Sequence, residues 1–245
     1  MRPYGLILLL SFALSSCALQ PMDSTSAPPS VSIRPEELLA ESINLLKVMR
    51  FSSIRTVNEN MLGHAKAIVI FPLVVEQEYH SKAAFGTGVV SMRSEETGKW
   101  GPPLFHKLMG VNFGQWAGLK AWDLIFLVVS DKGKNALFNP AYQFGQEISM
   151  AFGPMDNHPR LPIQPILTQK DIYVYSRAQG SFVGLPPEGG MINNDRASNI
   201  KFYGSSFSPK EILQGQEVVP LPEAAKKFMK EMDRLAPVNL EVNAT

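Results

Sequence analysis

One cysteine, Cys17, is all that the chain of 245 residues contains. No disulfide can form within it, so a folded domain here rests on its core alone. Net charge is almost absent as well: 23 basic and 22 acidic residues leave +1. Setting aside residues 1–16, whose only charge is Arg2, removes one base and leaves 22 of each sign. A chain without net charge has no global pull toward nucleic acid.

The usual marks of catalysis are also missing. There is no nucleophile elbow, phosphate loop or dinucleotide fingerprint. The four histidines, His64, His80, His106 and His158, lie far apart and form no His-x-x-x-His pair. Glu76, Glu78 and His80 are the nearest approach to a metal set, but consecutive polar residues in a connecting segment read as a solvated loop. Ser205 and Ser206 have no neighbouring base, and Asp123, Asp171 and Asp195 read as residues that cap or end strands. The sequence predicts no enzyme, no cofactor and no metal.

What is present is enough apolar material for a core, 45% hydrophobic against 18% charged residues. The 19 prolines and 18 glycines are spread along the chain, which favours many turns over a helical bundle.

The N-terminus is layered. Arg2 gives a positive start, Gly5–Leu14 is apolar, and Leu14-Ser15-Ser16-Cys17 follows. This is the layout of a secretory signal peptide over residues 1–16, with an apolar run well short of the ~20 residues of a spanning helix. The tetrapeptide resembles a bacterial lipobox, in which the cysteine thiol takes a diacylglyceryl group and becomes the acylated N-terminus. Each buried methylene contributes roughly 0.8 kcal/mol, so two or three chains such as palmitate anchor firmly. Ala18 stands where an aspartate would resemble an inner-membrane retention signal, which favours the outer membrane, facing the periplasm. Residues 17–34 read as lipidated cysteine and tether, residues 35–237 as one domain, and 238–245 as a tail.

From Pro35 the spacing predicts an amphipathic helix with Leu38, Leu39, Ser42, Ile43, Leu45, Leu46 and Met49 on one side. A second short helix is predicted over Ile54–Leu62. Short β-branched and aromatic runs then follow: Ala67–Phe71, Phe85–Met92, Val111–Leu119, Leu124–Val129, Glu147–Phe152, Ile172–Tyr175 and Ser181–Leu185. Asp131–Phe138 reads as a short helix, Ser208-Pro209-Lys210-Glu211 as a capped helix start, and 222–235 as a last amphipathic helix. The pattern predicts an α+β fold, an antiparallel β-sheet or barrel-like core with N- and C-terminal amphipathic helices packed on it.

Several pieces, taken in order, resemble the SYLF domain family. They are Ala65–Pro72 (AKAIVIFP), Phe85–Val90 (FGTGVV), Trp100–Phe105 (WGPPLF), Gly110–Gly118 (GVNFGQWAG), Asp123–Ser130 (DLIFLVVS), Tyr175–Gly184 (YSRAQGSFVG) and Asn199–Gly204 (NIKFYG). The resemblance departs at Val75–Ala84, which has no glycine where the family is glycine-rich, and at the proline-rich stretch Pro154–Pro165. It implies a partly barrel-like body and a lipid- or membrane-binding role, with membrane lipid, anionic phospholipid among the candidates, as partner.

The glycines Gly86, Gly88, Gly110, Gly114, Gly118, Gly180 and Gly184 read as turn, bulge and packing positions. Trp100, Trp116, Tyr173, Tyr175, Phe182 and Tyr203 read mostly as core. Lys47 and Arg50 end the first helix, and Lys170 and Arg177 bracket the Ile-Tyr-Val-Tyr strand. Basic residues beside aromatics pair either with lipid phosphates or with acids of their own domain. The expected function is a non-catalytic lipid-binding module of a bacterial envelope lipoprotein. The alternative is a structural or protein-interaction lipoprotein, its protein partner unknown and its only lipid its own anchor.

Overall fold

A computed structural model describes residues 33–238 apart from 52–56, 80, 113–120, 146, 154–166, 179–180, 183–188, 216–217 and 219. The signal peptide, Cys17, most of the tether, His80, Trp116, His158, the proline-rich stretch and residues 239–245 lie outside the described residues.

The run AIVIF is apolar at every position because both of its faces are covered, as continuous apolar strands require. It opens β1 (Ala67–Tyr79), which forms a long hairpin with β2 (Ser81–Met92). Seven further strands follow: β3 (Leu104–Asn112), β4 (Ala121–Val128), β5 (Ala141–Phe144), β6 (Met150–Phe152), β7 (Ile172–Ala178), β8 (Ser181–Phe182) and β9 (Gly189–Asn194). Their order is β5-β9-β3-β2-β1-β4-β7-β6, with β8 on β7. Every pairing is antiparallel except β6 with β7.

This sheet cannot be flat. Its edge strands β5 and β6 are consecutive, and the six steps from Phe144 to Met150 span at most ~20 Å at about 3.3–3.6 Å each. Seven strand intervals of ~4.8 Å would set those edges ~34 Å apart in a flat sheet. The sheet therefore curls, and the Phe144 ring of β5 lies 5.4 Å from that of Phe126 on β4, five intervals away. The result is the barrel-like α+β body that the sequence predicted.

Six helices are described: α1 (Pro35–Phe51), α2 (Glu59–His64), α3 (Asp131–Ala136), α4 (Arg196–Tyr203), α5 (Pro209–Gln214) and α6 (Glu223–Leu235). Four of their starts are capped by side chains: Asn58, Ser130, Asp195 and Ser208 each accept a backbone N–H three residues on. Ser208 and Glu211 complete a capping box, as the sequence predicted. The predicted stripes of α1 and α6 are buried.

Two cores result. On the helix face, Ile68, Ile70, Val89, Phe105, Ile125 and Tyr175 pack with Leu46, Met49, Met61 and Phe228. On the other face, Val69, Phe71, Leu108, Phe126, Phe144 and Ile192 pack among themselves and with Ile212 and Leu213 of α5.

Some elements differ from expectation. The polar stretch 75–84 is not a connecting loop: β1 and β2 continue in register as far as Tyr79 opposite Ser81. Strand pairing there follows the hairpin register and not the hydropathy. The strand expected at Val111–Leu119 begins at Leu104, and α2 begins at Glu59, where Asn58 caps it. β5 and β9 escaped the pattern because their alternate residues are polar or glycine. NIKFYG is helix α4, ended by Gly204 at φ 72°.

Candidate functional site

Lys47 and Arg50 meet at the junction of α1 and α6. Lys47 Nζ lies 3.0 Å from Glu231. Arg50 donates to the carbonyls of Arg234 and Leu235, the last turn of α6, and reaches Glu59 Oε1 at 3.3 Å. A cation on the orphan carbonyls of a helix C-terminus satisfies them and opposes the helix dipole. Arg234 and Lys47 together hold the Glu231 carboxyl down at about 2. A cleft of about 150 Å³ beside this junction is lined by Arg50, Glu59, Asn60, Leu62, Leu235 and Val238. That is below the ~300 Å³ at which small-molecule pockets begin, so it does not enclose a lipid.

Lys170 and Arg177 are not brought together. Lys170 is exposed two residues before β7 and Arg177 is near that strand's end, a separation of ~23 Å at about 3.3 Å per residue. Arg177 grips Asp123 of the neighbouring strand, with Nε and Nη2 at 2.7 and 2.5 Å from Oδ2. Burial pushes the Asp123 carboxyl up, and the Arg177 contact only partly offsets it.

The outer side of α6 carries basic residues that sequence reasoning passed over. Lys226 pairs with Glu223 and Arg234 with Glu231. Lys227 and Lys230 are exposed and make no ion pair among the described residues. The signal was legible: bases at 226, 227, 230 and 234 recur at i, i+1, i+4 and i+8, opposite the apolar stripe. On the neighbouring helix α1, Val48 (46%) and Phe51 (61%) are exposed, with the Arg50 guanidinium 5.1 Å from the Phe51 ring centre. The helix layer thus exposes both basic and apolar side chains, the lysines without ion-pair partners among the described residues.

A second surface lies on the same face of the sheet, toward the end that α1, α2 and α6 leave uncovered. Leu73 (48%), Met109 (42%) and Met191 (37%) are exposed there, with Val75 and Phe85 half-buried. Register makes the surface continuous: Leu73 faces Thr87, Thr87 faces Lys107, and Met109 faces Met191. Its cations are compensated, Lys107 by Asp195 at 3.4 Å and Arg177 by Asp123.

The remaining sequence candidates have structural partners. Asp195 caps α4. Asp171 accepts from Ser130 and Ser149; burial pushes its carboxyl up, but these hydrogen bonds outweigh it and leave it below the usual range. Ser205 and Ser206 are exposed after α4, and Ser206 sits 3.4 Å from Arg196. Among the described residues no three His, Cys, Asp or Glu side chains gather to hold a metal.

Trp100, Tyr173 and Tyr175 are buried, and Tyr203 donates to the Pro103 carbonyl. Gly88 lies under the Phe71 ring, and Gly110, at φ 64°, sits in the β3 bulge. His106 and Tyr142 are fully buried with their rings 6.2 Å apart, and their polar atoms have no hydrogen-bond partner among the described residues.

Arg93 was also passed over. Its guanidinium donates to the carbonyls of Leu62, Ala65, Gly98 and Ala236 and stacks 4.2 Å from the Trp100 ring centre. Beside it a groove of about 540 Å³ runs between Glu95, Glu96, Lys134, Phe138 and Lys210. Its charges are of both signs, and Lys134 pairs with Glu95. No helix among the described residues is long and apolar enough to cross a membrane.

Comparison with known proteins agrees with the resemblance read from the sequence. A family model described as Ysc84, Las17-binding protein actin regulator, matches residues 109–235. Protein YSC84 of Saccharomyces cerevisiae is 24% identical over 212 residues, 82% of this chain and 44% of the yeast protein. LAS seventeen-binding protein 3 of the same organism is 24% identical over 192 residues, 74% of this chain and 41% of its own. The human SH3 domain-containing YSC84-like protein 1 is 24% identical over 208 residues, covering 81% and 59%. The matched part thus takes up about half of each relative. With more than half of its residues under the family model, the chain belongs to the Ysc84 (SYLF) family.

Proposed function

We propose that this protein is a non-catalytic membrane-binding module of a lipid-anchored envelope protein. In this reading acylated Cys17 holds the chain to the outer membrane on its periplasmic side. The α1–α6 layer then meets anionic lipid. The observations that support it are the exposure of Lys227 and Lys230 on α6, without acidic partners among the described residues, and of Phe51 and Val48 on α1, the helix packed against it. Cations next to a bilayer gain about 1 kcal/mol each, and apolar side chains beside them enter the interface. The small cleft at the helix junction fits surface apposition better than extraction of a lipid.

Two measurements test the parts separately. Cys17→Ala should abolish fatty-acyl labelling and membrane retention while the domain stays folded. Normal labelling of that variant would remove the anchor. In a Cys17→Ser background, Lys227→Ala with Lys230→Ala should weaken binding to phosphatidylglycerol vesicles by roughly tenfold or more, at about 1 kcal/mol per lysine. Binding to phosphatidylcholine vesicles should not change. Unaltered phosphatidylglycerol binding would remove the helix layer from the role.

A second reading is a protein-docking envelope lipoprotein with no lipid beyond its own anchor. It is favoured by the family description and by the name of one relative, both of which print Las17 binding, and by the uncovered part of the sheet. It expects no specific vesicle binding by the Cys17→Ser protein.

A further inference from the structure

Two methionines meet on the uncovered end of the sheet. Met109 of β3 and Met191 of β9 are direct cross-strand partners, and their side chains are 42% and 37% exposed. The other methionines among the described residues differ. Met49, Met61 and Met232 are wholly buried, Met92 is 5% exposed, and Met150 and Met229 are half-buried. Opposed residues of an antiparallel pair hold their Cβ atoms about 4.5–5.5 Å apart, so the two flexible thioethers share one small area.

Polar side chains surround the pair. Two residues along the same strands, and so on the same face, Lys107 and Asn193 are again partners, and Gln143 of β5 lies opposite Met191. Lys107 and Gln143 are exposed. Such a setting keeps both sulfurs open to a reagent carried in water. Asn193 adds direction: its Nδ2 donates to Met109 Sδ at 2.9 Å. A thioether sulfur is a weak acceptor, with lone-pair density on either side of its C–S–C plane. The amide covers one side, so an electrophilic oxygen reaches the other.

We propose that Met109 and Met191 form a reversible oxidation site, at which hydrogen peroxide converts both thioethers to sulfoxides and Asn193 confines Met109 to a single sulfoxide epimer. In each step a sulfur lone pair attacks one peroxide oxygen and the O–O bond breaks. The sulfur is oxidised by two electrons and the peroxide is reduced. The proton on the transferred oxygen passes to the departing hydroxide, which leaves as water. At exposed positions the new oxygens stay hydrated and the fold persists, whereas a sulfoxide at Met61 or Met232 would carry an oxygen into the core. Methionine sulfoxide reductases, each class of which takes one epimer, restore the thioether. The site thus switches this part of the sheet between apolar and polar.

The test uses the full chain with Cys17→Ser, which removes the thiol. Folded protein is treated with dilute hydrogen peroxide, sampled over time and digested, and its methionine peptides are followed by mass spectrometry. Sulfoxide should form at Met109 and Met191 at least ~tenfold faster than at Met61 and Met232, which react only when the fold opens. The melting temperature should not change once both are oxidised. The digests are then given to each class of sulfoxide reductase separately. One class should clear nearly all of the Met109 sulfoxide and the other almost none, while each clears part of that at Met191. With Asn193→Ala the Met109 sulfoxide should divide roughly equally between the two classes. Should Asn193→Ala unfold the domain, Asn193→Val, which suits a strand, takes its place with the same expected division. Equal rates at the exposed and buried methionines would overturn the site. An even division at Met109 with Asn193 in place, or selectivity that survives its loss, would overturn the role of Asn193.

Discussion

The Asn199 carboxamide faces the backbone of Phe105 as a neighbouring strand would. Its Oδ1 accepts the Phe105 N–H at 2.9 Å and its Nδ2 donates to the Phe105 carbonyl at 3.0 Å. A side chain from α4 thus completes the hydrogen bonding of Phe105, whose carbonyl also accepts the Asp195 N–H at 2.9 Å. Asn199→Asp keeps the shape but sets a carboxylate oxygen against the Phe105 carbonyl. Removing a buried partner costs about 1–3 kcal/mol per orphaned group. We expect Asn199→Asp and Asn199→Ala each to lower unfolding stability by ~2–4 kcal/mol. Denaturant titration checks this, and a loss under ~1 kcal/mol would contradict the bridging role.

Two glycines should respond oppositely to a side chain. A Cβ on Gly88 would lie 2.3 Å from Phe71 Cδ1 and 2.4 Å from the Ile70 carbonyl oxygen, with no room on either side. Gly88→Ala should cost ~3 kcal/mol or prevent folding, as overpacking of a tight core does. Gly110 has φ 64°, and a Cβ there would meet nothing within 4 Å. Gly110→Asn should cost under ~1 kcal/mol, since asparagine tolerates the left-handed region. Thermal unfolding of both variants decides it; equal losses would be the contrary result.

Burial lowers the His106 imidazole to about 3, against the opposing pull of Asp195. The side chain is thus neutral in the fold and titrates near 6.5 when unfolded. Stability from this group is complete above pH 6.5 and falls as the pH drops toward about 3, because only the unfolded chain takes the proton there. The slope is about 1.4 kcal/mol per pH unit. His106→Leu, which fills the site without a titrating group, should flatten stability against pH between about 6.5 and about 4. Parallel pH profiles for the two proteins would show that His106 does not set acid sensitivity.

Arg177 holds Asp123 rather than standing free. Arg177→Ala leaves a carboxylate whose burial already raises its pKa, so a loss of ~1–3 kcal/mol follows. Asp123→Asn alongside it should recover part of that loss. Unchanged stability of Arg177→Ala, with vesicle binding reduced instead, would point to a phosphate contact.

The framework was legible where apolar spacing is strong. Leu38, Leu46 and Met49 at helical intervals marked α1, and the run Ala67–Phe71 marked a strand buried on both sides. Ser208 and Glu211 foretold a cap to the residue. Alternation failed where polar residues belong to paired strands, as in Glu76–Tyr79 and in β9. Their place is set by partners far away in the chain. The candidate surface was only half legible. Lys47 and Arg50 could be picked out, but what they touch depends on α6, 185 residues later for Arg50 and Leu235. Arg177 drew attention for its motif, and only the β4–β7 register shows it beside Asp123.

The last turn of α6 is held from three sides. Arg50 donates to the carbonyls of Arg234 and Leu235, while Arg93 and the Trp100 indole both donate to that of Ala236. Residues from the beginning and middle of the domain thus complete their bonding only on its final helix. Contacts of such long sequence separation slow folding and place it after loop closure. A chain emerging N-terminus first cannot complete the helix-face core until α6 has been made. Closure of that core is thus tied to the appearance of a single late element rather than spread along the growing chain.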